Sequence, residues 1–208
     1  MSQNQAVERL GIFGGSFDPP HQAHITLACR AIEQLHLDRL LVIPTGDAWH
    51  KNRNLTLAPH RLAMTRLAFA DLPKVSVDPR EIDRHGPTYT FDTLEEIAQD
   101  FSNAKLFLCI GGDQARAFST WHRWNDILKR ATVVVAFRPE DKSAAEPVNH
   151  PQWHNGLPTG AIRLEMPSLA ISATDIRLQL AQSDTFPSAL PTGVCEYIQQ
   201  HSLYKNDR

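Results

Sequence analysis

Short apolar runs alternate with helical patterns along most of the chain. The runs that are rich in aliphatic and β-branched residues predict strands at 9–13, 39–43, 75–77, 105–110, 132–137 and 161–164. After the first run, Ile25, Ala28 and Ile32 recur at near-helical spacing and indicate an amphipathic helix. Similar patterns predict helices at 61–70, 91–101, 174–182 and 192–201. Residues 47–59 and 140–159 are mostly polar and predict exposed loops.

This alternation predicts an α/β protein. A strand, helix, strand order is typical of a Rossmann-like, doubly wound parallel sheet with helices on both faces. The run at 132–137 is the most continuously β-branched and predicts a central buried strand. We expect a single domain over 1–208, with a small C-terminal helical segment at about 171–208. Ligands in such sheets bind beyond the carboxyl ends of the strands.

Composition narrows the class of protein. A chain of 208 residues with 42% apolar and 21% charged residues suits one globular core. A net charge of -2 does not indicate the basic surface that binds nucleic acid. No apolar run approaches the ~18 residues of a membrane span. The N-terminal residues lack a signal-peptide pattern, so we expect a cytoplasmic protein. The cysteines Cys29, Cys109 and Cys195 are widely spaced and predict buried thiols rather than disulfides or a metal site.

The segment at 14–24 reads GGSFDPPHQAH and directly follows the first predicted strand. Paired glycines let the backbone approach an anion, and the following helix offers unpaired N–H groups. His21 and His24 lie three residues apart, so both imidazolium groups can face phosphate oxygens from the first helical turn. The spacing fits neither the dinucleotide fingerprint nor the P-loop. Phosphate binding is favoured, with an ordinary turn or a histidine metal pair as alternatives.

Two other segments could bind a nucleotide. Ser172 opens the run SATDIR and can form a capping box, and a capped helix N-terminus is itself an anion site. Asp113 follows two glycines at the end of a predicted strand. Its carboxylate could accept hydrogen bonds from ribose hydroxyls, although a turn-forming aspartate is the commoner explanation.

The remaining candidates are aromatic and basic. The run GPTYT at 86–90 precedes a predicted helix, where it could simply start that helix, and the run WHRW at 121–124 is as typical of a core as of a binding site. Lys51 and Arg138 each stand in a region after a predicted strand. Each is most simply a solvated charge, and either could bind a phosphate.

Two of these segments resemble known motifs. The run at 14–24 resembles the GGxFDPxHxGH signature of nucleotidyltransferases, and the run at 171–177 resembles their ISSTxIR element. Ala23 and Ala173 replace the usual glycine and serine. Both motifs occur in the right order and far apart, and the resemblance covers nearly the whole chain. It points to the bacterial nicotinate mononucleotide adenylyltransferases within this superfamily.

The resemblance implies a role for each candidate residue. His21 and His24 would be the catalytic residues. The ATP-binding residues would be Gly14, Gly15, Ser16, Phe17, Gly111, Asp113, Ile171, Ser172, Thr174 and Arg177. The residues that bind nicotinate mononucleotide would be Lys51, Thr88, Tyr89, Trp121, His122 and Arg138. Backbone N–H groups near Tyr89 and His122 would receive the nicotinate carboxylate, and Trp121 would stack on the pyridine ring.

The same resemblance implies a direct attack of the mononucleotide's 5′-phosphate on the α-phosphorus of ATP. Mg²⁺ would be carried on ATP rather than held in a dedicated protein site. The expected partners are these two small molecules, with no nucleic acid and no membrane. The alternatives within the superfamily are a preference for nicotinamide mononucleotide, a phosphopantetheine adenylyltransferase or a cytidylyltransferase. From another class, a catalytically silent nucleotide sensor is the alternative.

Overall fold

The computed structural model describes residues 7–46, 55–137, 153–154, 157–183 and 185–205. Within these residues, six parallel strands form the main sheet: β1 Arg9–Gly15, β2 Arg39–Pro44, β3 Val75–Val77, β4 Lys105–Gly111, β5 Thr132–Phe137 and β8 Ile162–Glu165. Two short antiparallel strands, β6 Trp153–His154 and β7 Leu157–Pro158, pair separately. The described helices are α1 Gln22–Gln34, α2 Ala58–Phe69, α3 Arg80–Asp83, α4 Thr90–Asp100, α5 Gly112–Arg116, α6 Trp124–Arg130, α7 Ala173–Gln182 and α8 Thr192–Gln200.

The order of the strands creates one topological switch point. The main sheet runs β3-β2-β1-β4-β5-β8, so the chain winds outward from β1 in one direction and returns to its other side at β4. Ile12 lies opposite Leu108, and Phe13 lies opposite Cys109, in the parallel register of β1 and β4. The carboxyl ends of these two strands therefore meet at the switch point, where ligands of doubly wound sheets bind.

The side chains of alternate residues in each strand pack into two separate cores, one on each face of the sheet. Phe13 and Val42 face a cluster made with α1, α2, α7 and α8, whereas Ile12 and Leu41 face a second cluster made with α4 and α6. Side chains of successive strand residues point to opposite faces, so nearly continuous apolar runs are needed to fill both cores. The predicted doubly wound α/β fold is confirmed.

Three local predictions need correction. The predicted loop at 140–159 contains β6 and β7, whose two-residue strands are too short to leave an alternating pattern. Helix α2 begins at Ala58 rather than in the predicted 61–70 range, because Pro59 fits the first turn, where its missing N–H has no helical partner. The run at 132–137 is buried, but it lies between β4 and the edge strand β8 rather than at the centre of the sheet.

The prediction of three buried thiols is correct for only one of them. All three cysteines are free, but Cys29 is exposed on α1, whose core face is formed by the neighbouring Ala28 and Ala31. Cys109 is buried in β4, and burial raises the pKa of its thiol to about 12. Cys195 is partly buried on α8. Among the described residues, no helix is both long and apolar enough to cross a membrane.

Gly46 is expected to tolerate no side chain. A Cβ added there would overlap the carbonyl oxygen of Glu81 and lie 3.2 Å from the Thr88 hydroxyl. Backbone atoms cannot rotate away, so Gly46→Ala should lower the free energy of unfolding by about 1–3 kcal/mol, the usual cost of overpacking. Denaturant unfolding measures this loss.

Gly193→Ala is the matched control. A Cβ at this position of α8 would only make ordinary contact with Leu67, 3.7 Å away. Alanine is the better helix former, so this variant should be neutral or slightly stabilising. Equal stability of the two alanine variants would contradict the tight packing at Gly46.

Candidate active site

The first motif follows β1 into a turn that depends on Gly15. A Cβ added to Gly15 would lie 3.1 Å from the ring of Phe17, so glycine lets this ring fold back over the end of the strand. Phe17 adopts a left-handed backbone conformation with φ of 46° and is 1% exposed. Its ring lies edge-on to those of Phe13, His24 and Phe69. An aromatic cluster thus fixes the turn, and the Asp18-Pro19 peptide bond beyond it is cis.

The two histidines of the first motif lie against each other at the start of α1. His21 is the N-cap residue, and its ring stacks on that of His24 with centroids 3.8 Å apart. The backbone N–H of His21 donates a hydrogen bond of 3.2 Å to Nδ1 of His24. An Nδ1 that accepts a hydrogen bond carries no proton, so the neutral His24 ring carries its proton on Nε2. The prediction that both histidines share one direction from the first turn is confirmed.

The role of His24 as an imidazolium facing phosphate stays a prediction, and the surroundings of its ring bear on that prediction. Burial lowers the pKa of His24 well below its usual 6.5, and the charge of His21 lowers it further. The ring is therefore neutral near pH 7 and offers a single Nε2–H donor. A sequence reveals the spacing of two histidines, but not that their rings stack and desolvate each other.

The second motif caps α7. The Ser172 hydroxyl oxygen accepts a hydrogen bond of 3.1 Å from the backbone N–H of Asp175 and lies 2.6 Å from its carboxylate. The predicted role of Ser172 as the cap of this helix is confirmed, and a capped helix N-terminus favours an anion. Ile171, just before the cap, packs against the core shared with α1 and α8.

Arg177 joins the two motifs. Its Nη1 donates a hydrogen bond of 2.7 Å to the carbonyl oxygen of Asp18, which lies 159 positions earlier in the chain. Its Nη2 donates a hydrogen bond of 3.1 Å to the hydroxyl of Thr174. A guanidinium has five N–H donors in a fixed planar arrangement, so one side chain can contact both motifs at once. The structure thus brings together the residues that the sequence placed in two separate phosphate-binding motifs.

Residues predicted for the second substrate also meet. Tyr89 is the N-cap residue of α4, and its ring lies 4.5 Å from that of His122, centroid to centroid. Trp121 follows a 3₁₀ turn at Phe118–Thr120 and packs on Phe118. The Thr88 hydroxyl is buried and has no hydrogen-bond partner among the described residues. The two segments therefore lie against each other and form one wall.

Three predicted site residues need separate comment. Asp113 is not in a glycine turn, because Gly112 already begins α5; its exposed carboxylate pairs with Arg116. Lys51 and Arg138 lie outside the residues that the structure describes. The described parts of the chain contain no group of three or more histidine, cysteine or acidic side chains placed to hold a metal ion.

Comparison with known proteins decides between the superfamily members. The cytidylyltransferase-like family model matches residues 12–179. A probable nicotinate-nucleotide adenylyltransferase of Albidiferax ferrireducens is 47% identical, over 96% of this chain and 99% of the relative. A second such protein, from Methylibium petroleiphilum, is 42% identical over 96% and 94% of the two chains. The chain belongs to the nicotinate-nucleotide adenylyltransferase family.

The fold of this family is confirmed by a solved structure. Plasmodium falciparum nicotinic acid mononucleotide adenylyltransferase complexed with NaAD has a TM-score of 0.72 over 95% of this chain and 97% of that chain. The two sequences are only 19% identical, so the likeness concerns the arrangement of strands and helices alone.

This member of the family contains a buried arginine that the sequence did not indicate. Arg61 of α2 is 2% exposed, and its guanidinium donates hydrogen bonds to three backbone carbonyl oxygens. They belong to Thr56 at 2.8 Å, Ser16 at 3.0 Å and Gly46 at 3.3 Å. One side chain therefore ties the turn after β1 to the turn after β2.

A buried aspartate makes a second such connection in the family motif. Asp18 is 1% exposed, and its carboxylate accepts a hydrogen bond of 2.7 Å from the Tyr204 hydroxyl and one of 3.3 Å from the backbone N–H of Thr56. Burial and the charge of Asp18 raise the pKa of Tyr204, so its hydroxyl stays protonated as the donor. The C-terminal segment is thereby fastened to the first motif.

Acid is expected to destabilise this protein through His24. The pKa of the His24 ring is lower in the folded protein than in the unfolded chain. The stability that comes from burying the neutral ring is therefore fully present above about pH 6.5, and it is lost as the pH falls below that value. His24→Gln removes this titration and leaves the other groups in place. Between about pH 7.5 and 5.5, urea unfolding should show a smaller loss of stability for the variant than for the unmodified protein. Equal losses would show that His24 is not desolvated.

Proposed function

We propose that this protein transfers AMP from ATP to nicotinate mononucleotide, forming nicotinate adenine dinucleotide and pyrophosphate. The contact from Arg177 to the Asp18 carbonyl oxygen carries the proposal, because it joins both phosphate motifs at the switch point. Family membership supports the same reaction, since the relatives carry this activity in their names.

On the ATP side, each donor has a proposed target. His24 donates its Nε2 proton to the α-phosphate as charge develops there, while His21 contacts the β- and γ-phosphates. Ser172, Thr174 and Arg177 hold the leaving pyrophosphate at the N-terminus of α7. The backbone of Gly14 to Ser16 is proposed to contact the same phosphates, and Phe17 shapes this turn. Gly111 and Asp113 are proposed to approach the ribose. Donors that are already in place where charge develops are worth most in a site shielded from water.

The nucleophile requires no help from a general base. The second ionisation of a phosphate monoester has a pKa near 6, so the 5′-phosphate of the mononucleotide is already largely dianionic at pH 7. In-line attack forms the new bond between a 5′-phosphate oxygen and the α-phosphorus, and the bond to the pyrophosphate oxygen breaks. Catalysis then consists of positioning two nucleotides and neutralising charge.

On the pyridine side, the wall formed by 86–90 and 121–124 is proposed to recognise nicotinate. Backbone N–H groups near Tyr89 and His122 are suited to the substrate carboxylate, because a carboxylate accepts hydrogen bonds and donates none. The Thr88 hydroxyl, buried without a partner in the described structure, adds a polar atom to this wall. Trp121 stacks on the pyridine ring, while Lys51 and Arg138 remain predicted phosphate contacts.

Mg²⁺ is proposed to arrive on the triphosphate of ATP. Magnesium keeps several water ligands and binds substrate phosphates readily, so few protein ligands are needed. It supplies further neutralisation of charge on the triphosphate. We propose the cytoplasm as the compartment, because both substrates are free nucleotides.

Labelled ATP tests the reaction directly. With nicotinate mononucleotide and Mg²⁺, label from the α-phosphate of ATP should appear in a dinucleotide, and label from the γ-phosphate should appear in pyrophosphate. No label should remain on the protein after denaturation, because the transfer is direct. Binding of ATP with no transfer of either label would instead identify a silent nucleotide sensor. Labelled protein would contradict direct transfer.

A further inference from the structure

We propose that Arg123 is a positioning residue that holds the turn at 121–124 against the start of α4 and thereby sets the pocket for the pyridine mononucleotide. This inference rests on the proposed function, since it concerns how one substrate is recognised. Arg123 acts through the two segments that form the wall, and it is not itself placed in contact with the substrate.

The backbone of Arg123 is unusual for a residue with a side chain. Its φ of 54° and ψ of 35° lie in the left-handed region, which costs a non-glycine residue about 1–2 kcal/mol. Arg123 is the N-cap residue of α6, and its carbonyl oxygen accepts hydrogen bonds from the N–H groups of Asp126 and Ile127 at 2.8 and 3.1 Å. Glycine would adopt this conformation freely, so the strain indicates that the arginine side chain is used.

The side chain reaches from the turn to the first turn of α4. The guanidinium carbon of Arg123 lies 3.7 Å from the centroid of the Phe91 ring, a close cation–π contact. Its Nε donates a hydrogen bond of 2.9 Å to the carboxylate of Asp126, which fixes the guanidinium over the ring. Phe91 is 7% exposed and is packed in the core beneath α4 and α6.

Two ring contacts therefore join the same pair of segments side by side. Tyr89 meets His122 at 4.5 Å, and Phe91 meets Arg123 at 3.7 Å. The first pair consists of residues proposed to bind the substrate, whereas the second joins the half-exposed side chain of Arg123 to the buried ring of Phe91. A carboxylate held by backbone N–H groups from both segments requires their spacing to be correct within about half an ångström. Arg123 is suited to maintain that spacing before the substrate binds.

Kinetics of three variants test the proposal. Arg123→Ala should raise KM for nicotinate mononucleotide about fivefold, the upper end expected for the loss of one half-exposed cation–π contact, with KM for ATP and kcat within about twofold. Arg123→Lys keeps the charge without the planar group and should raise the same KM only about twofold. Arg123→Gly should match alanine in KM but unfold at a higher temperature, because glycine relieves the backbone strain.

Arg30→Ala is the matched control. Arg30 has a similarly exposed side chain, 44% against 49%, and a similar ion pair with a carboxylate three residues later, but it lies on α1. It should leave both KM values unchanged. An Arg123→Ala enzyme with an unchanged KM for nicotinate mononucleotide, or with both KM values raised equally, would overturn the proposal.

Hydrogen exchange separates this proposal from the proposed reaction. In Arg123→Ala, but not in Arg30→Ala, amides at 86–92 should exchange several-fold faster, whichever substrate the protein uses. Unchanged exchange would overturn the positioning role. If the unmodified protein released no pyrophosphate with nicotinate mononucleotide, the proposed function would fail while the exchange result would still decide the role of Arg123.

Discussion

His24→Ala is expected to lower kcat about 10²- to 10³-fold, with a smaller effect on KM for ATP. The Nε2–H group of His24 is fixed before substrate binds, because Nδ1 already accepts the His21 backbone N–H. Removing one preorganised donor of this kind from a site where charge develops costs about 2.7–4 kcal/mol of transition-state stabilisation. Steady-state pyrophosphate release at saturating substrates measures the effect.

Two amide variants test which nitrogen of His24 acts. The side-chain nitrogen of glutamine can replace Nε2, whereas that of asparagine replaces Nδ1. His24→Gln should therefore retain about 10-fold more activity than His24→Asn, because only the former keeps a donor where the phosphate is expected. Near-normal turnover of His24→Ala would remove this residue from the mechanism, and equal activity of the two amide variants would contradict the assigned proton position.

Arg61→Met is expected to lower the free energy of unfolding by about 3–5 kcal/mol. The side chain is buried, and its loss leaves three carbonyl oxygens without their charge-assisted donor. Each hydrogen bond to a charged group contributes about 1.5–3 kcal/mol, and methionine replaces none of them. Part of this loss is offset, because methionine fills the space and the variant no longer buries a charged group. Guanidinium chloride unfolding measures the change. Arg61→Lys should recover only part of the loss, since one ammonium cannot match the planar geometry of three N–H donors.

Arg66→Met controls for the substitution itself. Arg66 lies on the same helix, α2, but is exposed, so its replacement should change stability by less than about 0.5 kcal/mol. Similar losses for the two methionine variants would contradict the bridging role of Arg61.

The order of elements could be predicted from the sequence because buried parallel strands leave a strong signal. The runs at 9–13, 39–43 and 105–110 are almost continuously apolar, since each strand fills a core on both faces. Helices α3, α5 and α6 could not be predicted in the same way. They have 4, 5 and 7 residues, too few for a period of 3.6 residues to repeat clearly.

Some residues of the candidate site could likewise be predicted from the sequence, and others could not. His21, His24 and Ser172 lie within contiguous motifs, whose spacing alone indicates helix starts that can meet phosphate. Arg61 and Arg123 carry no such signal, because each resembles an ordinary charged residue until the fold brings its partners close. Three carbonyl oxygens converge on Arg61, and the ring of Phe91 comes to lie under Arg123. The proton position on His24 likewise depends on one backbone N–H, which no sequence pattern specifies.

Pyrophosphate release with nicotinate mononucleotide and with nicotinamide mononucleotide, at equal concentrations and with ATP and Mg²⁺, tests the central claim most directly. We predict rapid release with the acid and at least about 10-fold slower release with the amide, because backbone N–H donors suit a carboxylate. A preference for the amide would contradict the assignment of the wall at Tyr89 and His122 while keeping the chemistry. No release with either mononucleotide would contradict the proposed reaction itself.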